Sequence, residues 1–174
     1  VLSMRLRPPS VPLITVDPYF SLWSPADHLT DAVTVHWTGS PQTMVGYAAI
    51  DGVSYRFLGR LCPGDTSPVM KETKCECDAL HTNYVFTAGG VELSLTFMTP
   101  LLLDDLNVMT RPVSYLRLSV RSSDHACHMI GIRLAVSEEI CLNKRREDAV
   151  TTEIFSENGL DSVKIGSVRQ PVLQ

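Results

Sequence analysis

Apolar and polar residues alternate in short runs along most of this chain. That period of two belongs to a strand with one buried face. Val53, Tyr55 and Phe57 alternate with Ser54 and Arg56, which places the first three inward. Val91, Leu93, Leu95 and Phe97 follow the same rule, as do Leu116, Leu118 and Val120 against Arg117, Ser119 and Arg121. Between residues 128 and 136, Ile130, Ile132, Leu134 and Val136 share one face. No window carries a strong helical period.

Turn signals divide these runs. Asp51-Gly52 joins Met44–Ile50 to Val53–Leu58, and such a pair predicts a type I′ hairpin because both central residues need positive φ. Ala88-Gly89-Gly90 joins residues 83–87 to Val91–Met98, residues 122–126 turn the chain, and Asn158-Gly159 links weaker strands at 149–155 and 162–168. Residues 101–111 read as a loop. This cadence predicts an all-β fold, an antiparallel β-sandwich. The Gly/Pro-rich stretch 59–68 is the expected boundary. It separates an N-terminal segment with a hairpin, 1–68, from a sandwich domain, 69–174.

The first third is different. Pro8, Pro9, Pro12, Pro18 and Pro25 forbid a long helix there. The segment 7–39 is irregular and rich in Pro and Trp, with enough apolar residues around Val11 and Ile14 to pack as ordered extended chain.

Composition narrows the function classes. A 174-residue chain buries roughly 70% of its unfolded surface, enough for one domain or a small pair. A net charge of -4 leaves no electrostatic footprint for nucleic acid. The one basic run, Lys144-Arg145-Arg146, is followed at once by Glu147-Asp148 and reads as a solvated loop. No apolar stretch is long enough to span a membrane, and the first residues lack the apolar core of a signal peptide. Five cysteines, Cys62, Cys75, Cys77, Cys127 and Cys141, are an odd set without a disulfide framework. Cys75 and Cys77 fall on one strand, roughly 6.5–7 Å apart between α-carbons, at the limit for a bridge. Reduced thiols are expected.

The chemistry-bearing motifs are sparse. The chain has no G-x-S-x-G elbow and no phosphate-binding glycine loop. Cys75, Cys77 and His81, with His125, Cys127 and His128 as further donors, lack the knuckle spacing of structural zinc, and no metal or other cofactor is assigned. Asp104-Asp105 and Glu138-Glu139 are adjacent pairs suited to solvation or turn capping, unlike carboxylates set across a sugar. The remaining cluster is Asp17, Tyr19, Trp23, Asp27, His36 and Trp37. One reading makes the tryptophans packing anchors and gives His36 a buried backbone partner. Another sets these six residues at the rim of a pocket or domain interface, with Asp17 and Asp27 orienting the imidazole. No catalytic residue is assigned.

Several blocks resemble the N-terminal region of the glutaminase A family of fungi and bacteria. These are PLITVDPYFSLWS, DHLTDAVTVHWTG, DGVSYRFLG, the run YVFTAGGVELSLTFMTPLLLDDLNVMTRPVSYLRLSVRS and a weaker IGSVRQPVLQ. The resemblance implies a much longer parent, with a β-sandwich region followed by a six-helical-hairpin domain of the glycosidase kind. It also implies an L-glutamine amidohydrolase activity and a secreted or periplasmic location. On that reading the chain is an N-terminal, non-catalytic part that ends inside its second β region. Its expected partner is the C-terminal helical-hairpin domain of the same parent, with self-association through an uncovered apolar patch as a further expectation. A carbohydrate- or partner-binding module is the alternative, with Tyr19, Trp23 and Trp37 as its platform.

Overall fold

A computed structural model describes residues 8–61, 64–142 and 148–170. Cys62, the basic run at 144–146 and the end of the last resemblance block lie outside the described residues. The fold is all-β and its paired strands are antiparallel. In chain order these are β1 (Val11–Thr15), β2 (Ser21–Ser24), β3 (Met44–Ile50), β4 (Val53–Leu58), β5 (Lys71–Cys77), β6 (His81–Ala88), β7 (Val91–Met98), β8 (Tyr115–Ser122), β9 (Ile130–Val136), β10 (Val150–Glu157) and β11 (Leu160–Ser167).

Two sheets make the sandwich, one ordered β4-β3-β9 and the other β5-β6-β7-β8. Their facing sides meet in one core. Met44, Ala48, Ile50 and Phe57 come from the first sheet, and Tyr84, Phe86, Leu93, Leu95 and Phe97 from the second. Val11 and Leu13 of β1 and Leu22 of β2 add to that core, so the Pro-rich start of the chain is built into the sandwich. The most regular strand is β7, where buried and half-buried residues alternate without a break.

The hairpin turns form where the Gly-containing pairs stand. Asp51 and Gly52 have φ of 49° and 86°, and Asn158 and Gly159 have 52° and 78°. Positive φ at both central positions is what a type I′ turn demands. The 101–111 loop contains one short helix, α1 (Leu106–Met109). Asp105 caps it by accepting hydrogen bonds from the amides of Asn107 and Val108. Of the two uses expected for the Asp104-Asp105 pair, solvation and capping, Asp105 serves the second.

One strand departs from its pattern. Alternation places Arg56 outward, yet it is only 4% exposed, and Arg56, Phe57 and Leu58 are buried in succession. A bulge accounts for the break in alternation at Phe57 and Leu58. Gly46 pairs with Leu58 and Tyr47 with Arg56, leaving Phe57 as the extra residue. Its ring lies over Gly46, where an added Cβ would come within 2.6 Å of it. Residues 68–70 run along the edge of β4 beside Arg56, whose amide donates to the Pro68 carbonyl and whose carbonyl accepts from Met70. Its guanidinium donates to the carbonyls of Thr30 and Gly59. Nε lies 3.1 Å from Asp65 Oδ2, a close ion pair whose alignment falls short of a hydrogen bond.

The second departure concerns β9. Ile132, Leu134 and Val136 pair with Ala48, Gly46 and Met44 and so share the core-facing side. They nevertheless remain 38%, 39% and 39% exposed. Both β8 and β9 are edge strands of their sheets and follow each other in the chain. Leu116, Leu118 and Val120 of β8 are likewise only half-buried. The sandwich is therefore open along the β8–β9 flank. The β10–β11 hairpin forms a separate two-stranded sheet with the pair Ile154 and Val163 exposed.

Candidate functional site

The N-terminal cluster is organised by one carbonyl. After β1, Asp17 turns the chain by accepting hydrogen bonds through Oδ1 from the amides of Tyr19 (2.7 Å) and Phe20 (2.8 Å). This side-chain-to-backbone turn is the ordinary work of aspartate. It turns out the Pro18 carbonyl, which accepts from Trp37 Nε1 at 2.7 Å and from His36 Nε2 at 3.0 Å. A carbonyl can only accept, so Nε2 carries the imidazole proton. Nδ1 shares a hydrogen bond with the Thr38 hydroxyl at 2.8 Å. The His36 and Trp37 rings sit 5.6 Å apart at 44°.

The clasp is anchored behind by the backbone. Trp23 on β2 exchanges hydrogen bonds with Val35, and the His36 amide donates to the Ser40 carbonyl. Thr34 Oγ1 donates to the Gln42 carbonyl at 2.6 Å and accepts from the Met44 amide at 2.8 Å, tying the 34–42 loop to the start of β3.

Four of the six residues singled out in the sequence thus converge: Asp17 through its turn, Tyr19 beside Pro18, and His36 with Trp37 upon it. Tyr19 is 76% and Trp37 61% exposed. Trp23 is half-buried behind them, and its indole Nε1 is buried without a hydrogen-bond partner among the described residues. Asp27 is exposed in the bend after β2 and makes no hydrogen bond to His36. His36 takes its orientation from Pro18 and Thr38, and Asp17 spends its carboxylate on the turn. The arrangement presents two exposed rings beside an imidazole held by two hydrogen bonds. It brings together no nucleophile, base and orienting carboxylate.

Elsewhere, Cys75, Cys77, Cys127 and Cys141 form no disulfide among the described residues, and burial pushes Cys141 up from its ordinary value. Among the described residues no group of three or more His, Cys, Asp and Glu side chains is placed to hold a metal ion. His81 pairs with Asp78 at 3.2 Å. No helix among the described residues is long and apolar enough to cross a membrane.

Two polar clusters have no signature in the sequence. One is Arg56 with Asp65, where Tyr47 Oη also donates to Asp65 Oδ2 at 3.0 Å. The other joins Asp51, Asp124 and His128. Asp51 declares itself in the sequence only as half of a turn, and its second role depends on a histidine 77 residues away.

Fold and site define an antiparallel β-sandwich with an aromatic clasp at the start of the chain. Residues 80–174 match the model of a domain of unknown function, DUF5127, over more than half the chain, and the chain belongs to that family. Residues 2–61 match a second domain of unknown function, DUF4964. Glutaminase A of Aspergillus oryzae is 27% identical over 141 residues, covering 76% of this chain and 20% of the relative. The chain thus spans about a fifth of that relative's length, and with both domains it fits an N-terminal portion of the glutaminase A family. No solved structure matches it significantly.

Proposed function

We propose that this chain is the non-catalytic β-sandwich portion of a glutaminase A-type amidohydrolase. In this reading it scaffolds a helical-hairpin domain of the same polypeptide and shapes that domain's pocket. The open flank carries the reading. Core-facing Ile132, Leu134 and Val136 on β9 and Leu116, Leu118 and Val120 on β8 form an apolar strip between two sheet edges. Strips of this kind mark interaction surfaces, and free strand edges invite cover. A secreted location belongs to the same proposal. The test is ammonia release from glutamine, measured for the 174-residue chain and for a full-length protein that contains it. Turnover is expected only from the longer protein. Turnover by the 174 residues alone would end the non-catalytic reading.

A second reading has its own observation. Tyr19 and Trp37 both stand exposed next to Pro18, the Tyr19 backbone fixed by the Asp17 turn and the Trp37 indole by its bond to the Pro18 carbonyl. Rigid exposed rings suit stacking against the apolar face of a sugar. If this is a carbohydrate-binding module, a β-glucan oligosaccharide should change the tryptophan fluorescence. Trp37→Ala should weaken that binding by about fivefold or more, the effect of ~1 kcal/mol per ring contact. An unaltered spectrum at millimolar oligosaccharide would remove this reading.

A further inference from the structure

His128 lies in the connection between β8 and β9, and both of its ring nitrogens face carboxylates. Nδ1 is 2.7 Å from Asp51 Oδ2, on the β3–β4 turn, and Nε2 is 2.9 Å from Asp124 Oδ1, within its own connection. Only 10% of the His128 side chain is exposed. Each carboxylate has further donors. Asp51 Oδ1 accepts from the Met129 amide at 2.9 Å, and Asp124 Oδ1 accepts from the Ala126 amide at 2.9 Å and the Ser122 hydroxyl at 3.0 Å. The β6–β7 turn closes over the cluster, with the Gly90 carbonyl accepting from the Ser123 amide at 2.8 Å. A Cβ at Gly90 would lie 2.1 Å from Asp124 Oδ2 and 2.9 Å from His128 Nε2, so only glycine fits there.

We infer that His128 is a proton-operated latch, which in its imidazolium form ties the β3–β4 turn to the β8–β9 connection and on deprotonation lets one carboxylate go. The proton count requires this. Ionised carboxylates only accept hydrogen bonds, a neutral imidazole has one N–H, and an imidazolium has two. Two contacts under 3 Å are therefore both satisfied only by the cation. In the neutral form one ring nitrogen would set its lone pair against a carboxylate oxygen.

The charges around the ring agree. Asp51 faces it from the β3–β4 turn and Asp124 from the connection, while the β6–β7 turn brings the uncharged Gly90. On the neighbouring strands Arg121 and Glu92 are paired with each other at 2.7 Å. The hydrogen bonds to Asp51 and then Asp124 raise His128 above its ordinary 6.5. The His128 bond in turn lowers both carboxylates from their ordinary 3.8.

The signs define a window. A raised histidine contributes stability that is complete below 6.5 and is lost as pH rises through the folded value. The lowered carboxylates contribute stability that is present above 3.8 and lost as pH falls through theirs. The latch is thus closed in mild acid and opens on the alkaline side. Its release frees the connection that leads into β9, the strand on the open flank.

An NMR titration of the 174-residue chain with labelled histidine tests this directly. The His128 ring should titrate above 6.5, and amide protection at residues 124–129 should fall across the same midpoint while that of β7 holds. Asp124→Asn should lower the midpoint, and His128→Gln should abolish the pH step in protection. A midpoint at or below 6.5, or protection at 124–129 that does not follow it, overturns the latch. Both of these measurements use the unsubstituted chain, so they decide for or against the latch even where a variant fails to fold.

Discussion

Replacing Asp65 with alanine should destabilise the fold by about 3–5 kcal/mol, the cost of stripping the partner from a buried charge. Arg56 and Asp65 side chains are 5% and 9% exposed. The guanidinium keeps its two carbonyl acceptors, from Thr30 and Gly59, yet loses its only counter-charge among the described residues. The hydrogen bonds that Asp65 accepts from the Tyr47 hydroxyl and the Ser67 amide go with it. Urea unfolding at pH 7 reads the effect. A midpoint shift corresponding to less than about 1 kcal/mol, the worth of an exposed pair, would mean that solvent reaches the arginine. The same carboxyl sets an acid limit. Hydrogen bonds from Ser67, then from Tyr47, and the charge of Arg56 lower it from 3.8 to about 2. Its contribution is therefore complete above pH 3.8 and disappears as pH falls through about 2.

The second large effect is expected at Phe86. This residue has no exposed surface and bridges the two sheets. Its ring lies 6.1 Å from that of Phe57 on the opposite sheet and 5.8 Å from that of Tyr84 on its own strand. Phe86→Ala removes an aromatic side chain from a close-packed site that cannot collapse without moving a sheet. A loss of about 3–5 kcal/mol follows, which lowers the melting temperature by roughly 10 °C in a domain of this size. A drop of only a degree or two would show that the sheets close over the gap.

What the sequence reveals follows the range of each interaction. Hairpins are local, so Asp51-Gly52 and Asn158-Gly159 announce their turns and the alternation of Val91 through Phe97 announces its buried face. Arg56 cannot be placed in this way. Its burial on the outer face needs carbonyls from Thr30 and Gly59 and a carboxylate from the 59–68 connector. Alternation likewise marks Ile132, Leu134 and Val136 as one face without saying how completely that face is covered, because coverage depends on what lies beside β9. In the aromatic cluster, His36 and Trp37 both bind a main-chain carbonyl, and main-chain acceptors have no signature in side-chain letters. The long-range partnership of Asp51 with His128 is hidden for a related reason: either residue alone has an adequate local explanation.

The bulge next to Arg56 has a further consequence. It acts as a phase shifter, because residues on the two sides of Phe57 obey opposite rules about which sheet face they address. The extra residue and the glycine beneath it form a single volume-sharing unit. Added bulk at position 46 has to be given up by the ring at position 57. Deleting one residue from β4 would restore plain alternation and exchange the aromatic and cationic faces of that strand end. The charge that Asp65 neutralises would then point into the core, and an insertion scan along β4 would find its least tolerant point at this step.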